Sequence, residues 1–196
     1  MDTGSESYRR YLAGDDEGLA EIVRLYKDRL ILFINTYVHD FSAAEDLCED
    51  VFFTLIVKRP HYRGKSAFQT WLFAIARNKA LDHLKKQSRH PTAEVKASAA
   101  ATAESPEELL LSREREREVY SALQALAPQY RDVIYLLYIE GFDREETGRI
   151  LHKNRRQMQN LCHRARQALR AALPEELAPP RREGAGSKGG MTDEDM

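Results

Sequence analysis

Between Lys153 and Arg170 the chain carries six basic residues and no acidic one, and a helical repeat sorts the side chains of this stretch into two classes. Met158, Leu161, Cys162, Ala165, Leu169 and Ala172 recur at three- and four-residue steps and form an inward stripe. Arg156, Gln159, Asn160 and His163 are left on the opposite face, with Arg155 at the N-terminal tip. Arg, Gln and Asn are the side chains that make paired hydrogen bonds to purine edges in the DNA major groove, and a helix N-terminus favours phosphate. Arg164, Arg166 and Arg170 are placed to hold a phosphate backbone. The plainer reading is a solvated basic face, and the lack of any acid weighs against it.

A second constellation lies upstream. From Lys58 to His90 there are nine basic residues against the lone acid Asp82, so this stretch too suits an anionic partner. Tyr62, Phe68, Trp71 and Phe73 are interleaved there with Arg63, Lys65, Arg77, Lys79, Lys85 and Lys86. Aromatic faces stack on unpaired bases at ~1–3 kcal/mol per base while cations follow the phosphates. Trp71, Leu72 and Ile75 also have the spacing of a helix core, and Trp71 is expected to be partly core. Arg77, Asn78 and Asp82 either line a base pocket or meet water. A third constellation is acidic: Asp46, Glu49 and Asp50, with Phe53, make an i, i+3, i+4, i+7 row. The row fits a basic partner surface with an apolar centre, or else Phe53 is buried within its own domain.

The elements that position these groups are all helical. Leu19, Ile22, Val23, Tyr26, Leu30, Phe33 and Tyr37 mark an amphipathic helix. A second helix is expected from about Ser42 to Lys58, with Leu47, Val51, Leu55 and Ile56 inward and Arg59-Pro60 ending it. His61 to Ser66 reads as a loop, and a third helix runs from about Ala67 to Lys86. The segment 88–106, rich in Ala, Ser and Thr with Pro91 and Pro106 at its edges, reads as a flexible linker. Helical patterning resumes near Glu107, with Val119, Leu123 and Leu126 apolar, and Pro128 and Gly141 bracket the next helix. Asp143 with Glu146, then Asn154 with Gln157, form two capping boxes at the heads of two helices separated by only His152-Lys153-Asn154. Two short helices, the second basic and joined by so short a turn, predict a helix-turn-helix.

The fold class expected is therefore all-α: two small helical domains, residues 1–87 and 107–173, joined by the linker 88–106, with a disordered tail at 174–196. The net charge of −1 conceals an acidic beginning, because Met1 to Asp50 holds twelve acidic and five basic residues. No apolar run approaches the ~20 residues that span a bilayer, and the first twenty residues are too polar for a signal peptide. A cytoplasmic location is expected. Cys48 and Cys162 lie far apart without metal-ligand spacing, so no disulfide framework, metal or cofactor is expected.

Three segments resemble the extracytoplasmic-function type of RNA polymerase sigma factor. Ala44-Glu-Asp-Leu-Cys-Glu-Asp-Val-Phe52 is similar to that family's polymerase-clamp-binding helix. Phe68-Gln-Thr-Trp-Leu-Phe-Ala-Ile-Ala-Arg-Asn78, with Leu81-Asp-His-Leu84, is similar to its promoter-melting and −10 helix. Leu126-Ala-Pro-Gln-Tyr-Arg-Asp-Val-Ile134, Tyr138-Ile-Glu-Gly141 and the helix-turn-helix ending His163-Arg-Ala-Arg166 are similar to its −35-binding domain. The resemblance covers about residues 17–87 and 107–173, in order. It implies that Asp46, Glu49, Asp50 and Phe53 bind core RNA polymerase, and that Arg63, Lys65, Phe68, Trp71, Arg77, Asn78 and Lys79 serve the −10 element of promoter DNA. Arg155, Arg156, Gln159, Asn160, His163, Arg164 and Arg166 would serve the −35 element. It further implies melting by capture of unpaired bases, without nucleotide hydrolysis or catalytic residues, and an anti-sigma factor as a possible partner. Three departures stand out: Glu49 replaces the usual glutamine, Gly148 the usual alanine, and His152-Lys153 the customary Gly-aliphatic pair. A helix-interior glycine costs about 1 kcal/mol relative to alanine, so a soft second domain is expected.

Two rivals remain at this point. A helix-turn-helix regulator that does not join polymerase explains the last helix but neither the upstream aromatic stretch nor Phe53. A metal-dependent enzyme using His39, Asp46, Asp50 and His83 lacks a recognised ligand spacing.

Overall fold

The computed structural model describes residues 3–89, 118–119 and 121–174, and among them every regular element is helical. The linker is expected from residue 88, but residues 88 and 89 close the fourth helix of the chain; the rest of that linker, the beginning of the helix expected from Glu107 and the tail from residue 175 lie outside the described residues.

Four helices build the N-terminal half: α1 (Thr3–Leu12), α2 (Glu17–Val38), α3 (Phe41–Lys58) and α4 (Phe68–Arg89). Helix α2 is the central post: of the predicted stripe Ile22, Tyr26, Leu30, Phe33 and Tyr37 are buried, Leu19 and Val23 are partly so, and Ile34, which the stripe did not include, is buried with them. It ends at His39, whose left-handed backbone (φ 56°) turns the chain, and Asp40 then caps α3 by accepting from the Ala43 N–H. Leu47, Val51 and Leu55 of α3 face α2 as expected. Ile56 does not; it lies about a quarter-turn away from Leu55 and is exposed. Arg59, also left-handed (φ 40°), and Pro60 end α3.

Helix α1 was not expected. It is held by Tyr8 and Tyr11, both buried, and by the Tyr8 hydroxyl donating to the Pro60 carbonyl at 2.9 Å. Two glycines let it sit close. A Cβ on Gly4 would stand 2.5 Å from the Phe68 ring, and one on Gly18 would stand 2.3 Å from the Ser7 carbonyl.

In the C-terminal half, residues 121–125 are helical, followed by α5 (Pro128–Ile134), a π-helical turn (Tyr135–Ile139), α6 (Arg144–Leu151) and α7 (Arg155–Ala172). The one helix expected from Gln129 to Glu140 is thus α-helical for its first part only. The Glu140 N–H reaches back to the Tyr135 carbonyl, and the Phe142 N–H to that of Leu136. Gly141, at φ 74°, closes the element as predicted. Both capping boxes are formed, Asp143 with Glu146 and Asn154 with Gln157.

The two halves pack against each other. Phe33 of α2 meets Tyr135 with ring centroids 5.7 Å apart, and Phe73 of α4 meets Phe142 edge-on at 5.0 Å. Arg131 of α5 is the polar centre of this junction. Its guanidinium donates to the Thr36 carbonyl at the end of α2 and to the carbonyls of Leu123, Gln124 and Leu126. One buried cation therefore binds the foot of the second half to the first.

Candidate nucleic-acid interface

The turn before α7 sets the first surface. His152 takes the left-handed conformation (φ 54°), and the Lys153 N–H bonds the Gly148 carbonyl at 2.8 Å. A Cβ on Gly148 would come within 2.9 Å of the Lys153 carbonyl and 3.1 Å of Met158. Glycine at this position is what lets the turn fold back tightly, so its low helix propensity has a local structural return. Met158, Cys162 and Ala165 are buried, while Leu161, Leu169 and Ala172 are partly so. Arg155, Arg156, Gln159, Asn160, His163, Arg164 and Arg166 are all exposed. The face that sequence assigned to base edges and phosphates is open, and no acidic side chain of α7 lies on it to neutralise it.

The upstream basic stretch is split by the structure. Arg63 and Lys65 are exposed on the loop before α4, and Gly64 (φ 66°) supplies the turn. A shallow cavity of about 550 Å³ opens there, lined by Tyr62, Arg63, Gly64, Ser66 and Ala67 together with Ser5 and Arg9 of α1. The last two were missed by sequence reasoning because α1 itself was; the signal available was Tyr8 and Tyr11 one helical turn apart. The Tyr62 hydroxyl donates to the Ser66 carbonyl and so braces the loop. Phe68, expected to contact nucleic acid, is instead fully buried. It heads α4 and points into a cluster of rings from Tyr8, Tyr26, Tyr62 and Trp71, at centroid distances of 5.4–5.9 Å. It packs against Tyr62 of the cavity lining but cannot offer a face. Trp71 is half-buried in the same cluster, as expected. Asn78 is exposed. Lys79 Nζ lies 3.6 Å from Asp50 on α3, which couples the basic helix to the acidic one. Arg77 is only 17% exposed and faces Asp132 of the second half, Nε to Oδ2 at 3.7 Å.

The acidic surface is a shallow groove of about 480 Å³ along α3, lined by Asp46, Glu49, Asp50, Phe52, Phe53 and Ile56. Phe53 is 60% exposed, which removes the alternative that its own domain buries it. An apolar centre ringed by carboxylates suits a basic, partly apolar partner. Among the described residues no group of His, Cys, Asp or Glu could hold a metal ion: His39 faces Arg131, and Asp50 faces Lys79. No described helix is long and apolar enough to cross a membrane. Both cysteines are buried and free, and burial pushes the Cys48 thiol up to about 12.

Comparison with known proteins shows the family. Residues 22–90 match the family described as Sigma-70 region 2, and residues 116–169 match Sigma-70, region 4. The RNA polymerase sigma-H factor of Pseudomonas aeruginosa is 30% identical over 84% of this chain and 90% of its own length. The ECF RNA polymerase sigma factor SigW of Bacillus subtilis is 30% identical over 82% of this chain and 91% of its own. A similar fold occurs in the crystal structure of the sigma factor RpoE of Bartonella quintana in complex with the anti-sigma factor NepR. That likeness has a TM-score of 0.63 at 22% identity and covers 78% of this chain and 94% of that one. The chain, with its two matched regions in series on either side of residues 91–115, belongs to the sigma-70 family as an ECF-type RNA polymerase sigma factor that directs promoter-specific transcription.

Proposed function

We propose a division of labour among the three surfaces. The helix-turn-helix α6–α7 reads the −35 element. Arg156, Gln159, Asn160 and His163 meet base edges, while Arg155, Arg164 and Arg166 hold phosphates. The loop and helix around Arg63, Lys65, Trp71, Asn78 and Lys79 engage the −10 element, with Arg77 joining once its helix face is free. The cavity before α4 has the position and the mixed aromatic, cationic and hydroxyl lining to receive an unpaired base, with Phe68 bracing the Tyr62 ring. The groove of Asp46, Glu49, Asp50 and Phe53 grips a basic element of core RNA polymerase.

Melting on this reading is capture: exposing an unpaired base costs a few kcal/mol, and stacking with pocket contacts offsets it. The chain itself performs no covalent step, needs no cofactor and works in the cytoplasm beside polymerase. Residues 1–87 and 107–173 are the two working domains, with 88–106 the connection and 174–196 a tail. An anti-sigma factor, the kind of partner held by the Bartonella quintana protein, is a suitable regulator.

The observation that carries the proposal is the pairing of an open Arg156 face on α7 with an exposed Phe53 among carboxylates on α3. A DNA-binding regulator that never joins polymerase has no use for the second. The test is to add the purified chain to core polymerase and sequence the RNA starts it produces. Starts at a common pair of upstream elements are expected, and they should vanish with Asp50→Arg, which leaves an exposed site on α3 folded but reverses its charge. Normal competition of that variant for core would remove the α3 assignment.

A further inference from the structure

Helix α1 brings chemistry of its own to the cavity before α4. Ser5, Tyr8 and Arg9 stand at i, i+3 and i+4 and so share one side of the helix. Tyr8 anchors that side: it is buried, its ring centroid lies 5.5 Å from those of Phe68 and Trp71, and its hydroxyl donates to the Pro60 carbonyl. Arg59 in turn lies over the Tyr11 ring, 5.5 Å from its centroid. Arg59 and Pro60, the step from which the loop departs, are thus both fastened to α1. Ser5 and Arg9 are carried with the helix to the cavity, where they meet loop residues that include Tyr62, Arg63 and Ser66.

The lining has the composition of a nucleotide site with two phosphate positions. Arg9 and Arg63 are both exposed cations on it, and no acidic side chain lines it. Glu6 pairs with Arg9 one turn away but lies outside the lining, so it orients the guanidinium without occupying the cavity. The Tyr62 hydroxyl is committed to the Ser66 carbonyl. A serine hydroxyl both donates and accepts, so Ser5 can meet the edge of a base. The volume of about 550 Å³ falls within the roughly 300–1,000 Å³ of sites that hold small organic ligands, which is room for one unstacked nucleotide.

We propose that Ser5 and Arg9 of α1 are specificity-determining residues for the −10 element: Arg9 holds the phosphate beside the captured base, and the Ser5 hydroxyl bonds the edge of that base. The inference rests on the reading of this cavity as the −10 base site. Two elements divide the nucleotide between them, the loop through Tyr62 and Arg63 and the helix through Ser5 and Arg9. Strand capture then depends on α1 staying docked. The choice of base at one −10 position is set by a residue outside the basic stretch that carries the other contacts.

The test uses the full chain bound to core polymerase and a fluorescent single-stranded oligonucleotide carrying the mapped −10 sequence. Arg9→Ala should weaken binding about tenfold, the scale of one lost hydrogen bond to a charged group. Arg24→Ala is the control: it removes an equal charge from another exposed arginine, one that is also paired with a glutamate but lies outside the cavity. Its effect should stay within about twofold, because solvent and salt screen a distant charge. Arg9→Lys keeps the charge and should recover most of the binding, a rescue that damage to α1 would not allow. Ser5→Ala should weaken binding about three- to tenfold. That loss should disappear when an abasic site stands at one −10 position and at no other, because the contact is then already gone. A Ser5→Ala effect that ignores the abasic position, an Arg9→Ala effect no larger than that of Arg24→Ala, or an Arg9→Lys variant as weak as Arg9→Ala would overturn the proposal. The underlying reading is judged by Arg63→Ala: if it too leaves binding unchanged, the cavity is not the −10 site, whereas if it alone weakens binding, only the α1 assignment falls.

Discussion

Arg131 Nη1 lies 2.9 Å from His39 Nε2. A guanidinium can only donate, so Nε2 must be the acceptor and the imidazole must be neutral, with its proton on Nδ1. Burial first, and the Arg131 charge second, hold the His39 pKa below its ordinary value. The stabilising contact is therefore complete above the unfolded histidine value of about 6.5 and is lost as pH falls through and below it. His39→Gln keeps an acceptor for Arg131 and removes the titration. Urea midpoints measured from pH 7.5 to 5 should fall less steeply for the variant than for the unaltered chain, and parallel curves would mean that the contact does not govern acid sensitivity.

Asp132 works in the opposite direction. Its burial raises the carboxyl to about 6, while Tyr37, Arg77 and Arg131 nearby oppose that rise only in part. A carboxyl raised in the folded state binds its proton more tightly there than when unfolded. Its ionisation thus costs stability above about 6, and stability is gained as pH falls from there toward the ordinary 3.8. The difference in unfolding free energy between the unaltered chain and Asp132→Asn should shift in favour of the former by on the order of 1–3 kcal/mol between pH 8 and pH 5. Chemical denaturation at the two pH values reads it directly.

On the −35 surface, Arg156→Ala and Gln159→Ala should each relax discrimination by roughly 1–3 kcal/mol per lost paired contact. Arg164→Ala should instead weaken all promoters about equally and lessen the salt dependence. Competition among promoter variants at two salt concentrations separates the two behaviours. An unchanged ranking for Gln159→Ala would move base recognition off this face.

Gly148→Ala should destabilise the second half even though alanine is the better helix former. The new methyl would stand 2.9 Å from a backbone carbonyl that the tight turn holds in place, and overpacking of that kind costs typically 1–3 kcal/mol against the ~1 kcal/mol that propensity returns. A lowered thermal midpoint is expected. A raised one would mean that the turn relaxes freely, as the sequence-based expectation of a soft domain would have it.

What sequence could read here is what depends on near neighbours. The two capping boxes join residues three apart, and the α2 stripe repeats every turn, so pattern alone placed them. Phe68 failed because an aromatic residue among arginines and lysines has the composition of a binding surface, whereas its position at the head of α4 aims it into the rings of Tyr8 and Tyr26. Helix α1 escaped because its fit depends on Gly4 and Gly18 being small beside distant groups, which no periodicity records. The junction between the halves was beyond reach for the same reason: Arg131 and Thr36 are 95 positions apart, and nothing near either residue announces the other.

The π-helical turn at Tyr135–Ile139 has a reach well beyond its five residues. Such a turn houses one more residue than an α-helical turn would, and each residue swings a helical chain by about 100°. Removing one residue there would restore ordinary winding and rotate Glu140 and Phe142 together, away from Arg29 and Phe73. A single inserted position therefore sets the azimuth at which one half of the molecule clasps the other, and a relative lacking it would have to hold its halves by different handles.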